Sequence, residues 1–225
     1  LFKSTDRYNA IVTCPSGVGQ DTCRVKEMPK IVDHEAQRER FAEAAIRLVA
    51  RHGFEGVTMR AVSAEAALSY GSLFHYFRSK DELLLQAVRH LTALQSGRVN
   101  AFSSRSKGLK ALRRLLYDDA LVDDLSRDEA VVWLAFLYRA ALDPAFAAMH
   151  SELIDGWLDR IERMLKDACK GGEISNELDC ESEALAIWVF SAGVGQQGLL
   201  YPQRFPPARQ RRLINAYLDK LRQGH

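Results

Sequence analysis

Ala66-Ala67-Leu68-Ser69-Tyr70-Gly71-Ser72-Leu73-Phe74-His75-Tyr76-Phe77-Arg78-Ser79-Lys80-Asp81-Glu82-Leu83-Leu84 contains two helix starts in close succession. Ser69 is a candidate N-cap for a helix carrying Tyr70 to Phe77, because a serine oxygen there accepts from the unpaired amides of a first turn. Ser79, followed three residues later by Glu82, has the capping-box form. It opens a longer helix whose expected buried face is Leu83, Leu84, Ala87, Val88, Leu91 and Leu94.

Upstream, Thr58 is a candidate cap for a second short helix running to about Ala66. Before it, Phe41, Ala44, Ala45, Leu48 and Val49 recur at three- and four-residue intervals, and Gly53 after His52 supplies a C-terminal stop. Two short helices separated by a tight turn make a poor core by themselves. They suit a helix-turn-helix over about residues 58–77, whose second helix enters the major groove of DNA.

Downstream the helical pattern continues with Leu109, Leu112, Leu115 and Leu116, then with Val131 to Leu142, ended by Asp143-Pro144. Phe146, Met149, Leu153, Trp157, Ile161, Met164 and Leu165 follow as one stripe closed by Gly171-Gly172. Glu181 to Leu200 is apolar on nearly every side near its middle, and Pro206-Pro207 opens a last helix with Leu213, Ile214, Tyr217, Leu218 and Leu221. No alternating strand segment interrupts this pattern. The predicted fold class is all-α, with a small N-terminal unit over residues 28–95 that holds three helices and the helix-turn-helix, and a larger helical C-terminal bundle over 96–225.

Composition narrows the function. Over 225 residues, 47% are hydrophobic and 27% charged, enough apolar material for a core. The 31 Lys and Arg against 29 Asp and Glu argue against a polybasic coat, while leaving room for a small basic surface that meets DNA. Cys14, Cys23, Cys169 and Cys180 show no CxxC spacing, so neither a zinc site nor a disulfide framework is expected, and a reducing cytoplasm fits. His52 and His90 have no metal-type partner four residues on, which favours capping or solvation.

The longest apolar run, Ala184 to Val194, is broken by Ser191 and Gly193 and falls short of the roughly 18 residues a membrane span needs. Residues 1–27 lack the apolar core of a signal peptide and carry no helical period, so they read as an extension upstream of the Met28-Pro29-Lys30 start. No GxSxG, phosphate loop or dinucleotide fingerprint is present, and no cofactor is expected. A helical enzyme built on Asp118, Asp119, Asp123 and Asp124 is the rival reading; without Glu-x-x-His repeats, these acids fit a solvated helix end better. A pure interaction module is a third reading, and it leaves the cluster from Tyr70 to Lys80 unexplained.

The segments Gly53-Phe54-Glu55-Gly56-Val57-Thr58-Met59-Arg60, Ala66 to Phe77 and Ser79-Lys80-Asp81-Glu82-Leu83-Leu84 together closely resemble the DNA-binding domain of the TetR family of bacterial regulators, over roughly Glu35 to Gln95. The resemblance implies a cytoplasmic, homodimeric, repressor-type protein. Such a protein binds a pseudo-palindromic operator in double-stranded DNA, and its C-terminal bundle senses a small molecule. The family usually has Gly where this chain has Ala67, a replacement costing up to about 1 kcal/mol if the backbone needs a positive φ.

Tyr70, His75 and Tyr76 offer polar groups for phosphates or base edges, Gly71 permits close backbone approach, and Phe74 suits a thymine methyl. Lys80 sits where the first turn of the next helix can clamp a phosphate. Ser69 and Ser72 open the same short helix and complete its candidate contacts, while Thr58 and Arg60 begin the second helix, where the family makes backbone contacts. Leu73 and Phe77 are assigned to core packing; Tyr76 fits either role.

In the second half, Trp133, Phe136, Tyr138, His150, Trp157 and Trp188, with Phe190, are the candidates for lining an effector cavity between helices, though each fits plain core packing too. The sequence around Trp133-Leu134-Ala135-Phe136 and the penultimate helix resembles the choline-responsive BetI-like branch of the family. An aromatic cage of this kind suits a quaternary ammonium. Ala192, Gly193 and Gly195 allow close helix approach, and with Leu213, Tyr217 and Leu221 they mark the last two helices as a dimer surface.

Overall fold

The computed structural model describes residues 34–103, 106–120 and 127–224. The expected extension over residues 1–27, with Cys14 and Cys23, and the acids Asp123 and Asp124 lie outside the described residues. Among those described there are nine helices and no strand: α1 (His34–His52), α2 (Met59–Glu65), α3 (Tyr70–Tyr76), α4 (Lys80–Ser103), α5 (Gly108–Asp119), α6 (Arg127–Ala140), α7 (Pro144–Lys170), α8 (Cys180–Leu200) and α9 (Pro207–Gln223).

The punctuation read from the sequence recurs in the backbone. Gly53 follows α1 with φ +66° and donates to the Val49 carbonyl at 2.8 Å. Thr58 caps α2 by accepting from the Ala61 amide at 3.1 Å, and Ser69 caps α3 by accepting from Ser72 at 3.0 Å. Ser79 accepts from the Glu82 amide at 3.1 Å, and the Glu82 carboxylate accepts from the Arg78 amide at 2.8 Å. The return contact of this capping box therefore falls one residue earlier than the usual pattern. Helix α6 ends at Ala140, ahead of the expected Asp143-Pro144 stop, and Asp143 also begins the next helix: its carboxylate accepts from Ala145 at 2.9 Å and caps α7.

Between α2 and α3 the chain turns through a Schellman arrangement. Leu68 N–H donates to the Ser63 carbonyl and Ala67 N–H to that of Ala64, each at 3.1 Å. Ala67 occupies the left-handed position with φ +52°, the only described non-glycine residue with a positive φ. The turn keeps the backbone that glycine suits while carrying a Cβ.

Two apolar clusters organise the chain. The first joins α1 to α4, through Phe41, Leu48, Leu73, Phe77 and Leu84, to Phe136 of α6 and Phe146 of α7. Phe54, in the loop before α2, meets Phe146 with ring centroids 5.9 Å apart. The second gathers α5, the later part of α7, α8 and α9 around Leu112, Leu116, Leu165, Ile187 and Ile214. Helix α4 runs unbroken across residues 95 and 96, so the two expected domains share one rod. Residues from Asp33 onward form a single unit.

The buried stripe of α4 departs from expectation in its second half. Leu94 is 48% exposed, whereas Thr92, Gln95 and Val99 are buried. At 100° per residue, position 95 continues the line of Leu91 and position 94 rotates out of it. The polar side chain of Gln95 is thereby carried into the interior.

Candidate DNA interface and effector cavity

Helix α3 presents one side to the core and another to solvent. Leu73 and Phe77 are fully buried, as assigned, while Tyr70, Gly71, Phe74 and His75 are exposed, and Ser72 is half-buried. Tyr70 and Phe74 meet edge to face with centroids 5.1 Å apart. The guanidinium of Arg60, an exposed residue of α2, lies 5.9 Å from the Tyr70 ring centroid. Arg60, Tyr70 and Phe74 thus form a continuous cationic and aromatic patch spanning both short helices. Thr58 and Ser69 are exposed with their hydroxyls engaged as caps, and the Ser72 hydroxyl donates to the Ser69 carbonyl at 2.8 Å.

Tyr76 is tied more tightly to the protein than its neighbours. Its hydroxyl donates to Gln37 Oε1 at 3.0 Å and sits 2.9 Å from His34 Nδ1, and its ring packs beside Phe41 and Phe77. Lys80 is half-buried at the start of α4, with Nζ donating to the Glu55 carbonyl at 3.5 Å. Next to it, Arg139 of α6 reaches Asp81 at 3.3 Å, Asp143 at 3.3 Å and Glu55 at 3.9 Å, and stacks 5.3 Å from the Phe146 ring centroid.

A cavity of about 110 Å³ opens among α4, α5, α6, α7 and α8. Trp133, His150, Trp157 and Trp188 line it, and Trp133, Trp157 and Trp188 are the only tryptophans of the chain. Three sequence candidates, Phe136, Tyr138 and Phe190, do not line it. Helix α6 turns Ala130, Trp133, Leu134 and Leu137 toward the cavity. Positions 136 and 138 flank that stripe by about 100° on either side. Phe136 is accordingly buried in the first core cluster, and Tyr138 is 68% exposed on the surface. Phe190 also lies elsewhere, stacked on Tyr217 at 4.6 Å.

The polar part of the cavity was not legible beforehand. Gln95, Asp118 and Glu129 line it with the tryptophans. Trp133 Nε1 donates to Gln95 Oε1 at 3.4 Å, and Gln95 Nε2 donates to Glu129 at 3.0 Å. Asp118, read as part of a solvated helix end, is a cavity residue with a side chain only 13% exposed. Its place in the last turn of α5 looks terminal in sequence, but the packing of α5 against α4 turns it inward. Arg98 bridges the two acids, forming a fork on Glu129 at 3.0 and 2.7 Å and a longer contact with Asp118 at 3.5 Å. Burial raises the Asp118 pKa above the ordinary carboxylate value; Arg98 opposes that shift and Glu129 adds to it.

Among the described residues, no group of three or more His, Cys, Asp or Glu side chains is placed to hold a metal. None of the described helices is long and apolar enough to cross a membrane.

Residues 110–223, half of the chain, match the family model described as BetI-type transcriptional repressor, C-terminal, and residues 42–87 match that of bacterial regulatory proteins, tetR family. The chain belongs to the TetR family. As a TetR-family protein it is a DNA-binding transcriptional regulator of the repressor type controlled by a small-molecule effector, and not an enzyme.

The similarity extends over most of this TetR-family chain. The HTH-type transcriptional regulator PksA of Bacillus subtilis is 28% identical over 196 residues, 86% of this chain and 94% of that protein. The HTH-type transcriptional regulator BetI of Paraburkholderia phymatum is 26% identical over 202 residues, covering 86% and 97%. A crystal structure of a transcriptional regulator from Saccharomonospora viridis in complex with choline superimposes with a TM-score of 0.75 at 25% identity, covering 82% of this chain and 96% of that one.

Proposed function

We propose that this regulator binds a pseudo-palindromic operator as a homodimer, reads it through α3, and is released when a small organic cation fills the cavity bounded by Trp133, Trp157 and Trp188. The observation that carries the DNA part is the exposure of Tyr70, Gly71, Phe74 and His75 on a short helix whose other side, Leu73 and Phe77, is buried. A side-chain cluster facing solvent from a capped helix has the form needed for base edges and phosphates. Thr58, Arg60, Ser69, Ser72 and Lys80 border it on the backbone-contacting side; Tyr76 contributes through the edge of its ring. Residues 28–95 act as the reading domain and 96–225 as the sensing and dimerising one, in the bacterial cytoplasm.

The effector class follows from the cavity. Indole faces attract cations through the ring quadrupole, and Asp118 and Glu129 share one close guanidinium, Arg98, with Arg114 acting on Asp118 from farther off. The relative crystallised with choline has the same fold. For the dimer, Leu185, Val189 and Leu200 form an exposed apolar stripe on α8, with Tyr201 at its end. Nothing surrounds the Gly193 Cα within 4 Å where a Cβ would stand. Burying that stripe against a second copy removes apolar surface from water. Leu213, Tyr217 and Leu221 of α9, expected on the same surface, are partly buried against their own core.

A binding footprint on the promoter region upstream of the chain's own gene tests the reading. Protection of a two-fold pattern that choline relieves supports it, and the absence of salt-dependent binding refutes it. Light scattering at micromolar concentration tests the dimer, which a strict monomer contradicts.

A further inference from the structure

Asp118 and Glu129 share one guanidinium, and they share it unequally. Arg98 presents its fork to Glu129 at 3.0 and 2.7 Å but touches Asp118 only at 3.5 Å. Glu129 is further held by Gln95 at 3.0 Å, which in turn accepts from Trp133. Of the two cavity acids, Asp118 is the more weakly held. The arginine stands at the rim with 43% of its side chain exposed, while the two acids are 13% and 19% exposed.

We propose that Arg98, standing at the rim, pairs with Asp118 in the free protein, and that a small organic monocation binds in the cavity by taking over Asp118 while Arg98 stays on Glu129. This inference rests on the effector reading above and assigns the residue that sets its affinity. With both acids ionised and Arg98 charged, the trio carries one net negative charge. An entering monocation pairs with Asp118, on which the more distant Arg114 also acts, in a partly dry site, where an ion pair is stronger than in water. A monoanion adds a second uncompensated charge, so Arg98 is not an anchor for carboxylate effectors despite its guanidinium. Trp133 and Trp188 supply the aromatic faces; the Trp157 ring already carries the Arg160 guanidinium 5.7 Å from its centroid.

The roles of the two acids differ in consequence. Glu129 keeps its fork in both states and anchors α6 to α4. Asp118, at the end of α5, exchanges an internal cation for an external one. Ligand binding therefore loosens the link between α5 and Arg98 on α4.

The test titrates choline chloride into the full chain at pH 8, followed by calorimetry and by tryptophan fluorescence. Every tryptophan lines the cavity, so the emission reports directly on occupancy. Arg98→Met removes the internal competitor and tightens choline binding by about tenfold or more. Asp118→Asn keeps the shape, removes the charge and weakens binding by at least about tenfold. Melting curves on both variants identify any loss of folding, and Asp118→Asn alone suffices if Arg98→Met does not fold. Unchanged or weaker binding by folded Arg98→Met, or wild-type affinity in Asp118→Asn, overturns the assignment while leaving choline as a ligand. A wild-type chain that binds neither choline nor tetramethylammonium overturns the assignment and the cationic effector reading together.

Discussion

The Arg139 guanidinium near the end of α6 lies 3.3 Å from the Asp81 carboxylate in the first turn of α4. Asp81 follows Lys80, the candidate phosphate clamp, and Arg139 stands two residues beyond Leu137, which lines the cavity. One side chain thus connects a helix lining the candidate effector cavity to the helix start that carries the candidate phosphate clamp. Its other partners, Glu55 before α2 and Asp143 at the start of α7, anchor the same junction. Because these pairs are partly exposed, their contribution to folding is small, at most about 1 kcal/mol each. Their expected importance lies in coupling, where two sites must bias one two-state arrangement.

Arg139→Met is expected to reduce that coupling by about 1 kcal/mol, a fivefold smaller effect of choline on operator affinity. The choline-induced change in tryptophan fluorescence is retained. Fluorescence anisotropy of labelled operator, with and without choline, measures both arms; unaltered coupling contradicts the role of this junction.

Ala67→Gly is expected to raise stability by up to about 1 kcal/mol, because the left-handed φ of +52° penalises a Cβ and not a glycine. The added freedom of glycine in the unfolded chain offsets part of the gain. Chemical denaturation reads the result, and Ala67→Val is expected to move the midpoint the other way.

His75→Ala and Lys80→Ala are expected to weaken operator binding while leaving the melting temperature within about a degree or two of wild type, as exposed or half-buried side chains do. For Lys80→Ala, the slope of log affinity against log salt should fall by about 1, the mark of one lost phosphate contact. Unchanged affinity at physiological salt removes the residue concerned from the interface.

Cys169 Sγ and Cys180 Sγ lie 3.9 Å apart where the end of α7 meets the start of α8, and burial with the neighbouring thiol pushes the Cys180 pKa up to about 11. The neutral thiol is favoured in the folded state, so this group supports folding fully below pH of about 8.5, the ordinary thiol value. That support is lost as pH rises toward 11. Alkylation of Cys180 by iodoacetamide in the folded protein should therefore remain slow at pH 8 and accelerate between about pH 10 and 11. Peptide mass mapping across that range checks the window; fast labelling at pH 8 contradicts it.

Much of the architecture follows from local rules. Gly53, Thr58, Ser69 and Ser79 mark helix ends because capping depends on residues within one turn, and the stripe from Phe41 to Val49 is buried because its spacing matches the helical period. The alternation of buried Leu73 and Phe77 with exposed Phe74 and His75 is legible for the same reason. Local rules are weaker over long helices. Along α4 a small rotational error accumulates, and Leu94 and Gln95 exchange places between surface and interior.

The candidate cavity divides along the same line. Aromatic residues on three helices were visible as candidates, and Trp133, His150, Trp157 and Trp188 converge, while Phe136 and Tyr138 sit one residue to either side of the facing stripe. Gln95 and Arg98 lie three apart on α4, but no spacing in the chain connects them to Asp118 of α5 or Glu129 of α6. The sequence by itself determined the helices, the caps Thr58, Ser69 and Ser79, and the exposed side of α3, since those depend on neighbours in the chain. Only the tertiary structure decided which polar groups meet in the cavity and which arginine they share, since charge pairing across helices depends on distances that the packed core sets.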